Sequence, residues 1–154
     1  MPAPATTIAL VVRRVGIPAY ADRRQIVRQI GRVRVQRDRL ADWAGPLDDL
    51  LTSVLAADLR ARLPGATITD ATSPIAAATD AEPISVEITR MGMDEHGEVV
   101  LVAEYTVGEH GRVHLGNFHM SPANASTAAY VMGLNEDVGE LADGIGVLVK
   151  DEGK

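Results

Sequence analysis

Four histidines, a run of carboxylates between Asp94 and Glu109, and nine arginines before residue 40 are the groups in this 154-residue sequence best suited to chemistry. The histidines are His96, His110, His114 and His119. A metal centre needs three or four converging ligands. His110 and His114 would form an i, i+4 pair only on a helix. Gly111, Val113 and Leu115 favour a strand instead, where those two lie roughly 13 Å apart at about 3.3 Å per residue. They read as solvated strand or turn residues, and no metal is expected. Asp94, Glu95, Glu98, Glu104 and Glu109 could supply an acid–base pair, but they cluster about hairpin turns, where charge is normally solvated. No Gly-x-Ser-x-Gly elbow, phosphate-binding loop or Gly-x-Gly-x-x-Gly opening a helix occurs. With no cysteine, thiol nucleophiles, disulfides and Cys-ligated zinc are also closed. The expectation is a protein that is not an enzyme and carries no cofactor.

The arginines stand furthest from neutral background. Residues 1–40 hold nine of them against Asp22 and Asp38, a local charge of +7, so the remaining 114 residues carry −13 of a total of −6. Guanidinium groups pair bidentately with carboxylates and phosphates. Arg23, Arg24, Arg28, Arg32, Arg34 and Arg37 are therefore the candidate partner-binding residues. An acidic protein surface, a lipid headgroup or a second copy of the chain would each suit them, the last by basic and acidic patches meeting head to tail. The competing reading is pairing within the chain or with solvent. Net negative charge and only 3% aromatic residues disfavour nucleic acid as a partner class, so none is expected.

Most of those arginines fall on two short segments, Gln25 to Ile30 and Arg32 to Arg37, which flank Gly31 and read as a hairpin. Before them, the apolar run Thr7 to Val15 predicts a central strand, closed by Gly16 and Pro18. Asp42 is a candidate N-cap for a helix starting near Trp43, with Pro46 in its first turn. Trp43, Leu47, Leu50, Leu51, Val54, Leu55, Leu59 and Leu63 form its apolar stripe, and Pro64 and Gly65 stop it. Trp43, at the head of that stripe, is expected to anchor the core. A brief strand over Thr67 to Thr69 precedes a mobile loop from Asp70 to Pro83. Ile84 to Thr89, Val99 to Val107 and Val113 to Met120 read as an antiparallel meander. Ser126 would cap a second helix, with Val131, Leu134, Val138, Leu141, Ile145 and Leu148 recurring at three- and four-residue spacings.

The expected fold class is α+β, a single mixed, largely antiparallel sheet with two long amphipathic helices packed on one face. One domain over 1–154 is expected, with 1–6 disordered. No stretch of about 18 apolar residues and no signal peptide are visible.

Several segments together resemble the ABC-type transport auxiliary lipoproteins that include paraquat-inducible protein C. Val15-Gly16-Ile17-Pro18-Ala19-Tyr20 followed by Asp22-Arg23-Arg24-Gln25-Ile26-Val27 is similar to that family's opening strand, Pro-containing turn and next segment. Trp43-Ala44-Gly45-Pro46-Leu47 is similar to its helix start, with Gly45 where the family has an acidic residue. Ile84 to Arg90, Val99 to Val107 and Leu134 to Ile145 resemble its closing strands and terminal helix. The resemblance implies a non-enzymatic periplasmic subunit, tethered to the outer membrane through a lipidated cysteine that would have to precede Met1. It implies work with a mammalian-cell-entry-domain transporter subunit that moves phospholipids between membranes. On this reading the partners are that subunit, a second copy of the chain, and phospholipid. The alternative reading is a soluble periplasmic carrier of lipid or a small ligand, which requires an internal cavity.

Overall fold

The computed structural model describes residues 8–23, 25–30, 34–94, 96–124 and 126–152. Strand β1 (Ile8–Val12) leads through a 3-10 turn (Ala19–Ala21) to the hairpin β2 (Gln25–Ile30) and β3 (Arg34–Asp42). Helix α1 (Leu47–Arg62) and β4 (Ala66–Asp70) follow. The meander β5 (Glu82–Met93), β6 (Val99–Val107) and β7 (His114–Met120) then leads to α2 (Thr127–Glu152).

Seven described strands form one mixed sheet built on β5. Along one edge β5 pairs antiparallel with β6 from Ile84↔Val107 to Met93↔Val99, with a register shift between Ile88 and Arg90. Along the other it is met in parallel by β1 at its start and by β2 at its end. Between those strands the chain stays beside β5. Gly16 donates to the Val86 carbonyl at 3.0 Å, and Ile88 donates to the Gly16 carbonyl at 2.8 Å. The Tyr20 hydroxyl then donates to the Met91 carbonyl at 3.0 Å and accepts from the Met91 N–H at 2.9 Å. A phenol thus continues the ladder where the backbone turns away, giving the Gly-Ile-Pro-Ala-Tyr segment an architectural role. β1 lies between β4 and β5, the central position expected from its apolar run.

The expected α+β class, single sheet and two helices are all present. The meander strands and the Gln25–Ile30 strand are present, with β5 running four residues beyond the expected Thr89 to Met93, β7 starting at His114, and β3 extending five residues beyond Arg37 to Asp42. Asp70 and Glu82, both placed in the loop by sequence, belong to the strands on either side of it. The first helix begins later than expected. Asp42 ends a strand, and Pro46 stands at the N-cap with φ −55° and ψ 129° and no side-chain capping bond. The physical reason is proline itself, which disfavours helical geometry in the residue before it, so helical backbone starts after Pro46. Asp48 and Asp49 in the first turn and Arg60 and Arg62 in the last complement the helix dipole. At the second helix the Ser126 hydroxyl accepts from the Ala129 N–H at 3.1 Å, the expected cap.

The core lies between the helices and the sheet. Leu10, Leu55, Leu59, Ile84, Leu101 and Ile145 are within 1% of complete burial, as is Tyr130, an aromatic that the apolar spacing did not single out. Gly133 permits close docking of α2 on β6. A Cβ there would approach a Val99 methyl to 2.7 Å, inside contact distance.

Candidate functional site

The two helices run in the same direction. Their N-terminal halves face one groove, and further along Arg62 of α1 reaches Asp143 of α2, Nε to Oδ1 at 2.5 Å. That groove is an apolar concavity of about 350 Å³. Leu47, Leu50, Leu51 and Val54 form one wall; Val131, Leu134 and Val138 form the other. Ile26 of β2 and the Trp43 ring close the end. Helical periodicity explains the lining, because residues three and four apart share a face. Leu47, Leu134 and Val138 are core residues seen from outside, whereas Leu50, Val54 and Val131 are only partly buried.

Trp43 is not the first residue of the helical stripe. It sits in the connection between β3 and α1, partly buried, packed against the core on one side and lining the groove on the other. Its indole Nε1 is screened from solvent and has no hydrogen-bond acceptor among the described residues. Next to it, a Cβ added at Gly45 would meet nothing within 4 Å, so an acidic residue there would have room.

Beyond Asn135 the groove passes into a shallow depression where Asp58, Glu136, Glu140 and Asp143 surround Arg62. Arg62 is already engaged: its Nη1 donates to the Asp58 carbonyl at 2.9 Å, and its Nε holds Asp143. Burial pushes the Asp58 carboxyl up, Arg62 opposes the shift and Asp143 adds to it. On the same helix Asp137 is fully buried, and neither carboxylate oxygen has a hydrogen-bond partner among the described residues. Desolvation, with Glu140 and Glu136 adding repulsion, pushes it up to about 7. Sequence periodicity placed the neighbouring Val138 inside but left Asp137 unnoticed. Its signal was an aspartate adjacent to a core position on an apolar helix face.

A second cluster joins Asp94, Glu98 and His119, whose ligand atoms lie within 4.8 Å of one another. The β6–β7 register, which pairs Val100 with His119, brings the histidine beside the β5–β6 turn. Asp94 Oδ1 accepts from the N–H groups of His96 and Glu98 at 2.8 and 2.9 Å. Burial opposes ionisation of Asp94, but those bonds and the nearby histidines outweigh it and hold the carboxyl below its usual range. His119 is 45% and Glu98 40% exposed, so the group forms an open ion-pairing rim rather than a closed centre. Sequence reasoning treated Asp94, Glu98 and His119 as separate turn residues, since only strand register joins them. Of the other predicted carboxylates, Glu109 pairs with Arg13 at 3.4 Å, and Glu95 lies outside the described residues. His114 stacks on Tyr105 with ring centroids 5.6 Å apart.

The candidate arginines are distributed as follows. Arg23 is exposed just before β2. Arg24 and Arg32 lie outside the described residues. The backbones of Arg28, Arg34 and Arg37 belong to the β2–β3 ladder, opposite Gln36, Ile30 and Val27. Two arginines outside the candidate set, Arg13 and Arg14, do pair within the chain, Arg13 with Glu109 and Arg14 with Asp48 and Asp49.

The fold and site together are those of an α+β domain with an open apolar groove between parallel helices. The chain belongs to the ABC-type transport auxiliary lipoprotein component family, whose profile matches residues 1–146. No curated protein matches the sequence significantly. Among solved structures, the crystal structure of an uncharacterized protein is 23% identical with a TM-score of 0.76, covering 93% of this chain and 94% of that one. Protein XCC0632 from Xanthomonas campestris is 17% identical with a TM-score of 0.65, covering 94% and 86%. These likenesses establish a shared fold. No helix among the described residues is long and apolar enough to cross a membrane.

Proposed function

We propose that this protein is a non-enzymatic periplasmic subunit that docks a mammalian-cell-entry-type phospholipid transporter at the outer membrane. The observation that carries the reading is the family match over residues 1–146, which makes the chain an auxiliary component of a transport system. The arginines Arg23, Arg24, Arg28, Arg32, Arg34 and Arg37 supply the partner-binding charge. Tethering would require a lipidated cysteine preceding Met1. A homo-oligomer would multiply the same contacts. The carrier alternative requires an enclosed cavity. The α1–α2 groove is open to solvent and, at about 350 Å³, lies near the lower end of ligand pockets, which supports docking over carriage.

Charge reversal at Arg23, Arg28, Arg34 and Arg37 together tests the reading. Capture of the transporter's mammalian-cell-entry subunit by the purified protein should weaken, most strongly at low salt. Capture unchanged by reversal at low salt removes the arginines from the interface. Native mass spectrometry separates the alternative, since stoichiometric copurifying phospholipid identifies a carrier.

A further inference from the structure

We propose that the α1–α2 face is a second docking site, which takes a basic amphipathic helix of a partner protein, apolar side chains in the groove and lysine or arginine over the acidic depression beyond it. The inference goes beyond the arginine-mediated contact and does not depend on the identity of the transporter. Three observations carry it. The groove is apolar along two turns of α1, from Leu47 to Val54, about 10 Å at 1.5 Å per residue. Partly buried Leu50, Val54 and Val131 line it, and covering them would remove further apolar surface from water. At its far end four carboxylates face one guanidinium, and that guanidinium is committed to Asp58 and Asp143. Glu136 and Glu140 then remain as acceptors on the exposed surface of α2, and from Val131 to Glu140 the groove and these acceptors span about 14 Å of helix axis.

Charge complementarity selects the occupant. A phosphate-bearing lipid headgroup or a nucleic acid placed beyond the apolar groove would meet carboxylates and be repelled. A helix with apolar residues at i, i+4 and i+7 and cations one or two turns further along matches both halves, the helix-in-groove mode of recognition. The cations would lie over Glu136 and Glu140, where a rim contact contributes specificity and association rate.

Trp43 is the sole tryptophan of the chain and lines the groove, so its emission reports occupancy directly. The probes are two synthetic helical peptides with three leucines at i, i+4 and i+7, one followed by two lysines and one by two glutamates. The lysine peptide should shift Trp43 emission saturably at low salt. The glutamate peptide should bind at least about tenfold more weakly. Glu136→Lys with Glu140→Lys should reverse that preference while circular dichroism stays unchanged and the melting temperature does not fall, since the two lysines relieve repulsion on Asp137. Val131→Glu, a partly exposed site, should abolish the shift. Equal binding of the two peptides, no saturation with either, or indifference to the Glu136/Glu140 double variant would overturn the proposal. So would an emission shift produced by phosphatidylglycerol vesicles and not by the lysine peptide. Reversal of the hairpin arginines should leave peptide binding intact, so failure of the transporter assignment and failure of this groove give different results.

Discussion

Thr52 on α1 and Asp137 on α2 are both fully buried polar residues, yet their surroundings are opposite. The Thr52 hydroxyl donates to the Asp48 carbonyl at 2.6 Å and accepts from the Val15 N–H at 2.9 Å, tying the helix to the segment that follows β1. Asp137 has no partner among the described residues, and its helical neighbours Glu136 and Glu140 carry the same charge. The electrostatics of the two helices differ in the same sense. α1 has acids at its start and arginines at its end, each engaged across the fold: Arg14 with Asp48 and Asp49, Arg60 with the Ile68 carbonyl and Asp70, Arg62 with Asp143. α2 has no acid in its first turn and only Lys150 in its last. Helix α1 is held by packing and satisfied polar contacts together. Helix α2 has the Ser126 cap and the Arg62–Asp143 pair but also carries Asp137, where it loses stability.

The largest test of that contrast concerns the packing both helices share. Leu59→Ala and Leu141→Ala remove side chains within 1% of complete burial and should each cost about 2–5 kcal/mol in urea unfolding. A clearly smaller loss at Leu141 would mean that α2 is less firmly packed than α1.

Next is the pH dependence of Asp137. Its folded pKa is raised to about 7, so the fold favours the protonated acid. Its contribution is fully present below the unfolded value of about 3.9 and is lost as pH rises to about 7, an order of 4 kcal/mol at one pK unit per 1.36 kcal/mol. Chemical denaturation across that window should show declining stability in the native sequence and a flatter profile for Asp137→Asn. A native profile that rises throughout would show the carboxylate to be stabilised.

Thr52→Val leaves the buried Val15 N–H without its acceptor and should cost about 1–3 kcal/mol, measured in the same assay. Asp70 gives a pH signature opposite to that of Asp137. Burial raises its pKa, but bonds from Thr72 and Arg60 outweigh this, so the folded value is lowered. Its contribution is present above the unfolded pKa and fades as pH falls through the folded one. Asp70→Asn should therefore flatten the acid limb alone. Smallest is Arg62→Gln, which breaks an exposed pair and should change stability by no more than about 1 kcal/mol, with high salt reproducing most of the effect.

Much of the architecture was legible because it rests on local periodicity. The alternation of Ile84, Val86 and Ile88 and the stripe from Leu134 to Leu148 each encode their element without reference to the rest of the chain. Ser126 was legible as a cap for the same reason. The start of α1 was misread because Asp42 has the chemistry of a cap, but the backbone constraint of Pro46 prevails. The groove was half visible: its lining residues were assigned to the core, and nothing in their spacing distinguishes a helix face that is covered from one left partly open.

Residue types and their periods determined by themselves the two helices, the hairpin, the meander and the absence of cysteine chemistry, because each depends on backbone geometry within a few residues. Tertiary structure alone decided that α1 and α2 run parallel, that Trp43 closes a groove between them, and that Asp94, Glu98 and His119 meet. It also decided that Asp137 is sealed in without a partner. Those outcomes depend on strand register and helix crossing, which join residues distant in the chain, and no local pattern specifies which distant side chains come together.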